Sequence, residues 1–466
     1  MGYRHPQSRD SYCRVKVVGV GRPLVSMSET EKLANRESLS RGDGAPVHVI
    51  VANDFAHVNG GAAQVAISSA AGLADRGHPI TFFAAVSPVA DELRRPGINV
   101  VLTDQFDIKT DPRRLRAATQ GIWNPRSALK MEHLLSGADA DQTILHVHGW
   151  TKALTSSIVR VALRRGVAVV VTLHDYFYAC PNGGFFNFRR NHSCPLRPLS
   201  MACLKENCDR DGYPEKLWRS VRQGVQNHFG FPHSRLLNFI TISNFSENVL
   251  KPFLPPDANI YRIASPSDFT KKSPVDVKAN TQFICLGRLS PEKGLHLVAE
   301  AARDLHCAVT FVGEGPSRNE IQSINQEATI TGWQTREQVK TYLRSARCLV
   351  LPSLWYEAQP MVIAEAAAVG VPAIVSDQCA GREMVENGVT GLLFRSGDSA
   401  DLREKMTILQ NPETVARMGR NAYDHHWNHP FTLEKHLLAL EHCYGSILGI
   451  ELRSDRCAVP ASGRIN

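Results

Sequence analysis

Short runs of aliphatic residues recur along this chain, and most are followed by a glycine- or histidine-bearing loop and a helical pattern. That alternation leaves little choice of fold. Residues 47–52, 80–85, 143–148, 167–173 and 239–243 read as strands. They are nearly continuous in Val, Ile and Leu, the pattern of strands covered on both faces, as in a parallel sheet. Between the first two, residues 62–74 set Val65, Ile67, Ala70 and Leu73 on one broad apolar face, and Gly77 stands where a left-handed residue ends a helix. Strand, glycine loop, helix and strand make one βαβ unit. A second helix is expected over 153–165.

Residues 268–280 are polar, with Lys271, Lys272, Pro274 and Lys278, and read as a linker. The alternation then restarts. Strands are expected at 282–286, 307–312, 348–351 and 373–376, helices at 294–305 and 336–346, and helical sequence over 411–448. The expected fold class is α/β, with two doubly wound, Rossmann-like domains facing across a cleft, a usual place for a ligand. The N-terminal domain spans 46–270 and the C-terminal one 281–430, followed by a helix and tail over 431–466. Residues 1–45 lack apolar periodicity and are expected to be a disordered extension.

Composition narrows the class. Of 466 residues, 43% are hydrophobic and 21% charged, as in ordinary globular proteins. No apolar run reaches the roughly 18 residues that span a bilayer, and the N-terminus lacks the apolar stretch of a signal peptide. A cytoplasmic location is therefore expected. The net charge of +8 suits anionic partners without choosing among them. No GxGxxG follows the first strand, which argues against a dinucleotide oxidoreductase.

Two glutamates, Glu357 and Glu365, stand with seven residues between them. Pro360 suits the first position of a helix, and from Pro360 to Ser376 the only charged residue is Glu365. A helix this apolar is buried, so Glu365 needs either a basic partner or ligand hydroxyls. The N–H groups of Met361 and Val362 would face an anion at the positive end of the helix dipole. Arg288 ends one expected strand and Lys293 opens the next helix. Ligands of α/β sheets gather at such edges, where two cations can neutralise a diphosphate; the alternative is two solvated surface cations.

After His174 come about forty residues without clear periodicity, holding Cys180, Cys194, Cys203 and Cys208 and several basic residues. Loops beyond about 15 residues in a compact domain are usually functional or disordered. Four thiols suffice for one tetrahedral zinc, though the tight CxxC pairs of strong zinc motifs are missing. Transient disulfides or four free thiols are the competing expectation.

The spacing of Glu357 and Glu365 resembles the paired-glutamate motif of the retaining glycosyltransferase family 4, within the string LPSLWYEAQPMVIAEA from Leu351 to Ala366. Gly287-Arg288 with Lys293-Gly294, Gly313-Glu314-Gly315-Pro316, Thr331-Gly332 and Gly60-Gly61 occur in that family's order, over roughly residues 47–430. The resemblance implies a GT-B architecture and roles for particular residues. Arg288 and Lys293 would hold the donor diphosphate, Glu365 the ribose hydroxyls and Glu357 the transferred sugar. Gly61 would let backbone approach the donor. His148 matches the family's active-centre histidine, and His174 is a second candidate. Pro360 departs from the glycine of many members and removes one backbone donor. The implied substrates are a UDP- or GDP-sugar and a glycan or lipid-linked acceptor, with no metal required for catalysis. Peripheral contact at the inner face of a membrane is expected, and no nucleic acid. A sugar-nucleotide hydrolase or epimerase on the same fold, and a scaffold working through the cysteine insert, are the alternatives.

Overall fold

The computed structural model describes residues 46–232 and 237–450; the expectations for 1–45 and for the tail beyond 450 fall outside that range. Seven parallel strands form the first sheet: β1 (His48–Phe55), β2 (Ile80–Val86), β3 (Ile98–Leu102), β4 (Thr143–Val147), β5 (Ala168–Leu173), β8 (Asn238–Thr241) and β9 (Asn259–Arg262). Their order is β3-β2-β1-β4-β5-β8-β9. The intervening β6 (Phe186–Asn187) and β7 (His192–Ser193) pair with each other as a small antiparallel ribbon. The second sheet holds β10 (Gln282–Leu286), β11 (Val309–Val312), β12 (Thr329–Ile330), β13 (Ala346–Leu351), β14 (Ala373–Ser376) and β15 (Gly391–Phe394). Its order, β12-β11-β10-β13-β14-β15, is that of a Rossmann fold, all parallel.

Alternation within the strands builds the core. Phe82 and Phe83 are both fully buried, yet they enter separate apolar clusters on opposite faces of the first sheet. The C-terminal domain has one continuous core, from Phe283 on β10 to Met418.

Three expected helices differ in ways that bear on the site. The helix expected from residue 153 begins at Ser157. Asp54, buried at the end of β1, accepts the backbone N–H groups of Lys152, Ala153 and Leu154 at 2.8–2.9 Å. That turn is given to the carboxylate instead of to helix. The helical stretch over 411–448 breaks into Pro412–Asn428 and Leu433–Leu448, with Pro430 between. Proline has no N–H to continue the ladder and turns its predecessor away from helical geometry. The last helix returns to the first domain. Glu441 pairs with Arg76 at 2.8 Å and His78 at 3.1 Å, and Tyr444 is buried in the core behind β1 and β4. The third difference, at Pro360, is taken up with the site. Among the described residues no helix is long and apolar enough to cross a membrane.

Candidate functional site

In both sheets the strand order reverses beside the first strand, between β1 and β4 and between β10 and β13. The crevice beyond the carboxyl ends of such strands is where open α/β sheets bind ligands. The candidate donor-binding and catalytic residues from the sequence sit on or beside one of these two edges, whereas the four cysteines lie in the insert.

The loops at the C-terminal edge are locked by glycine. At Gly313, φ is 147°, and a Cβ there would meet the Gly287 carbonyl oxygen at 2.0 Å. The loop after β11 therefore lies directly on the loop carrying Arg288. Gly294 has φ 66°, and its Cβ would meet the Pro352 oxygen at 2.3 Å. This close approach brings the Pro291–Lys293 turn against the segment that leads to Glu357. Lys293 Nζ donates to Glu357 Oε1 at 2.8 Å, and the Ser353 hydroxyl donates to the same oxygen. Arg288 Nη2 donates to Glu292 Oε1 at 2.5 Å, with half of its side chain still exposed. Glu292 itself was not anticipated; it is fully buried and also receives Ser290 and Arg210.

Glu365 lies in the short helix Val362–Ala368, half-buried. Burial raises its carboxyl above the ordinary range, while Arg336 and Lys340 act in the opposite direction. Among the described residues it has no ion-pair partner. Pro360 precedes the helix instead of opening it. The Ile363 N–H closes a tight turn on the Pro360 carbonyl at 3.1 Å, and α-type spacing starts only with Glu365 N–H to Met361 at 3.0 Å. Met361 faces the cavity described below; Val362 is not among its lining residues.

The N-terminal edge is built from imidazoles. The Tyr444 hydroxyl meets His146 Nδ1 at 2.7 Å, and His146 Nε2 meets Thr172 at 2.7 Å. The His146 and His148 rings lie 4.1 Å apart, and His148 Nδ1 meets His174 Nε2 at 2.9 Å. Burial, then neighbouring imidazoles, pushes His148 well below its ordinary value and takes His146 and His174 to about 3. All three are neutral near pH 7. His174 lines the cavity, whereas His148 stands behind it, 3% exposed, with its Nε2 unpartnered among the described residues. Gly61 opens the helix Gly61–Asp75, and a Cβ there would meet nothing within 4 Å.

Gly61, His174, Met361, Glu357 and Glu365 line one cavity of about 400 Å³ between the sheets. Asp175 and Trp355 line it too, and neither was anticipated. Burial lifts the Asp175 carboxyl to about 6, against a hydrogen bond from the Phe177 N–H. The Tyr176 hydroxyl and Trp355 indole N–H, also on this wall, have no hydrogen-bond partner among the described residues. N-terminal groups clamp the segment that carries Glu357. Ser243 donates to the Ala358 carbonyl at 2.6 Å, and Gln359 accepts the Ser265 N–H at 2.8 Å.

The insert is ordered, and the zinc expectation for it needs correcting. Cys180, Cys194, Cys203 and Cys208 are free thiols, and among the described residues no three His, Cys, Asp or Glu side chains are placed to hold a metal ion. Their neighbours explain why. Cys180 donates to the Asn182 side-chain oxygen at 3.2 Å, and the amide nitrogen of Asn182 faces Cys208 at 3.4 Å. Burial raises the thiols of Cys180 and Cys208 to about 11 and about 12. The insert is instead held by apolar packing of Tyr176, Phe185 and Phe186, and by the buried Lys216, which donates to the Cys203 carbonyl at 2.6 Å. It also reaches the other domain, where Ser193 donates to the Leu354 carbonyl at 3.1 Å.

Two Rossmann sheets, facing each other across a cavity lined from both strand-end edges, define the GT-B class. Residues 267–425 match the family model described as glycosyl transferases group 1, and residues 60–202 match the glycosyl transferase 4-like domain. The chain belongs to this family of glycosyltransferases. Over 151 residues it is 30% identical to the alpha-D-kanosaminyltransferase of Streptomyces kanamyceticus, covering 29% of this chain and 38% of that protein. Over 153 residues it is 27% identical to the Escherichia coli UDP-Gal:alpha-D-GlcNAc-diphosphoundecaprenol alpha-1,3-galactosyltransferase, covering 30% and 39%. The matches thus span less than half the length of these curated relatives. Among solved structures, sucrose-phosphate synthase from Thermosynechococcus elongatus superposes with a TM-score of 0.61 at 18% identity, covering 87% of this chain and 99% of that one. Anabaena HepE in complex with UDP and glucose superposes at 0.59 and 17%, covering 86% and 100%. At these identities the two structures establish the fold alone.

Proposed function

We propose that this protein transfers a sugar from a nucleoside-diphosphate sugar to a glycan or lipid-linked glycan acceptor, with retention at the anomeric carbon. The observation that carries this reading is the single cavity in which Gly61 and His174 of one sheet meet Glu357 and Glu365 of the other. Arg288 and Lys293 hold the diphosphate. Lys293 has three donors, so it can keep Glu357 and still reach a phosphate oxygen. Met361 and Val362 add backbone N–H groups there, and Glu365 takes the ribose hydroxyls. Glu357, oriented by Lys293 and Ser353, takes hydroxyls of the transferred sugar. His174 faces the reacting sugar, and His148 fixes its ring. Fixed positive charge stabilises the departing diphosphate, so no metal is required for that step. UDP- and GDP-sugars are the donor classes to test. A lipid-linked acceptor would be met at a membrane surface, and the exposed Tyr213, Leu217 and Val221 along one helix support peripheral contact there.

The test is product analysis. The protein is incubated with UDP- and GDP-sugars, with and without a lipid-linked oligosaccharide, and the product linkage is read by NMR. Acceptor-dependent release of nucleoside diphosphate with the donor's anomeric configuration is expected. Release that ignores the acceptor would make the protein a hydrolase, and an inverted linkage would remove the claim of retention.

A further inference from the structure

We propose that Arg210, which reaches the donor domain from the insert of the other domain, is the standing counter-ion of Glu292 and thereby releases Arg288 to the donor diphosphate. This deepens the reading above and rests on it. The Glu292 side chain has no exposed surface. Its Oε1 receives Arg288 Nη2 at 2.5 Å, Arg210 Nη2 at 2.6 Å and Ser290 Oγ at 2.8 Å, while its Oε2 has no partner among the described residues.

A buried carboxylate stripped of its cation is strongly destabilising. If Arg288 were its sole partner, drawing Arg288 onto a phosphate would strand that charge, and the donor would bind against the fold. Two guanidiniums on one carboxylate remove the conflict, because one can leave while the other stays. Arg288 is the one free to move, its side chain being 53% exposed against 38% for Arg210. Arg210 is held. Its guanidinium lies 4.7 Å from the Phe188 ring centroid, and the Phe188 N–H donates to the Cys208 carbonyl at 3.0 Å. Burial works against the charge on Glu292, yet its carboxyl stays below the ordinary value, with Arg210 the largest stabilising influence and Arg288 a smaller one.

Arg210 is therefore a positioning residue, and the insert becomes part of the donor site. Ser193 fastens the same insert to Leu354, so the contact between domains does not depend on Arg210 alone.

The experiment measures binding of UDP and GDP to the full chain by calorimetry. Arg210→Met is expected to weaken binding about tenfold, the scale of one lost charge-assisted contact. Arg210→Lys is expected to recover most of that loss. Adding Glu292→Gln to Arg210→Met removes the stranded charge and is expected to restore affinity to within about threefold of wild type. A merely structural role for Arg210 predicts a further loss in that double variant. Wild-type affinity in Arg210→Met, or a double variant weaker than the single, overturns the proposal. Should Arg210→Met fail to fold, the double variant carries the test with the same expected affinity. Arg288→Ala separates the two levels. If Arg288→Ala binds UDP and GDP normally, or if the intact protein binds neither, the donor-site reading falls and this proposal with it. If Arg288→Ala weakens binding while Arg210→Met does not, only the proposal falls.

Discussion

The two strand-end edges of this molecule share a topology and differ in nearly everything else. At the C-terminal edge, charged side chains are paired with one another over glycine turns, Arg288 with Glu292 and Lys293 with Glu357. At the N-terminal edge, three imidazoles are packed until none carries positive charge near pH 7. The first edge keeps mobile charge that an anionic ligand can redistribute. The second keeps charge out and fixes ring orientation by a continuous chain of contacts from Tyr444 to His174. The same sheet order thus serves two chemistries, set by the few residues placed just beyond each strand.

The largest expected effect tests the charged edge. Arg288→Ala or Lys293→Ala should each lower kcat/KM about ten- to a hundredfold, because each removes a charge-assisted contact worth ~1.5–3 kcal/mol. Melting temperature should change little in Arg288→Ala, where Glu292 keeps Arg210, and fall in Lys293→Ala, which leaves Glu357 without a cation. Wild-type kinetics in both would take the diphosphate away from this edge. A sharper contrast comes next. Glu365→Gln should weaken binding of free UDP or GDP by about tenfold, the scale of one hydrogen bond to a charged group. Glu357→Gln should leave the free nucleotide nearly unaffected and weaken the sugar nucleotide. Equal losses of free-nucleotide affinity would show that the two glutamates do not divide ribose from sugar.

The neutral edge is tested more gently. Because the three histidines have folded values below their ordinary 6.5, the unfolded chain binds more protons, and stability must rise with pH. Their contribution is complete above about 6.5 and is lost progressively toward about pH 3. The urea midpoint should therefore be lower at pH 5 than at pH 7.5, and His148→Gln should flatten that dependence. A midpoint independent of pH in the wild type would contradict the neutral stack.

Much of this was legible in the sequence, and what was missed follows a physical pattern. The central strands announced themselves because burial on both faces demands unbroken Val, Ile and Leu. Within the two large sheets the strands passed over, β3, β9, β12 and β15, are the four outer edges, and the short ribbon β6–β7 was passed over too. Strands β3, β9 and β12 hold only intermediate and exposed positions, so burial on both faces does not demand unbroken Val, Ile and Leu there, while β15 is only four residues long and opens with glycine. Site residues at fixed motif spacing, such as Glu357 and Glu365, could be named in advance. Asp54, Asp175, Arg210 and Glu292 could not, since each gains its meaning from a partner distant in the chain or from burial. The cysteines show the opposite failure. Their clustering in sequence suggested a shared ligand, whereas Asn182 and Lys216 already occupy several of the thiols' polar contacts.

The return of the final helix has a consequence for how the protein is made. Residues 433–448 complete the core beneath β1 and β4, and Tyr444 touches His146, whose ring packs against His148. During synthesis the first domain therefore emerges early but stays unfinished until residues 433–448 have left the ribosome. Its apolar face must wait, uncovered, while the second domain is translated and folds. Dissecting the protein at the linker would leave the first half without its keystone. A working N-terminal fragment would have to be grafted directly to residues 431–450.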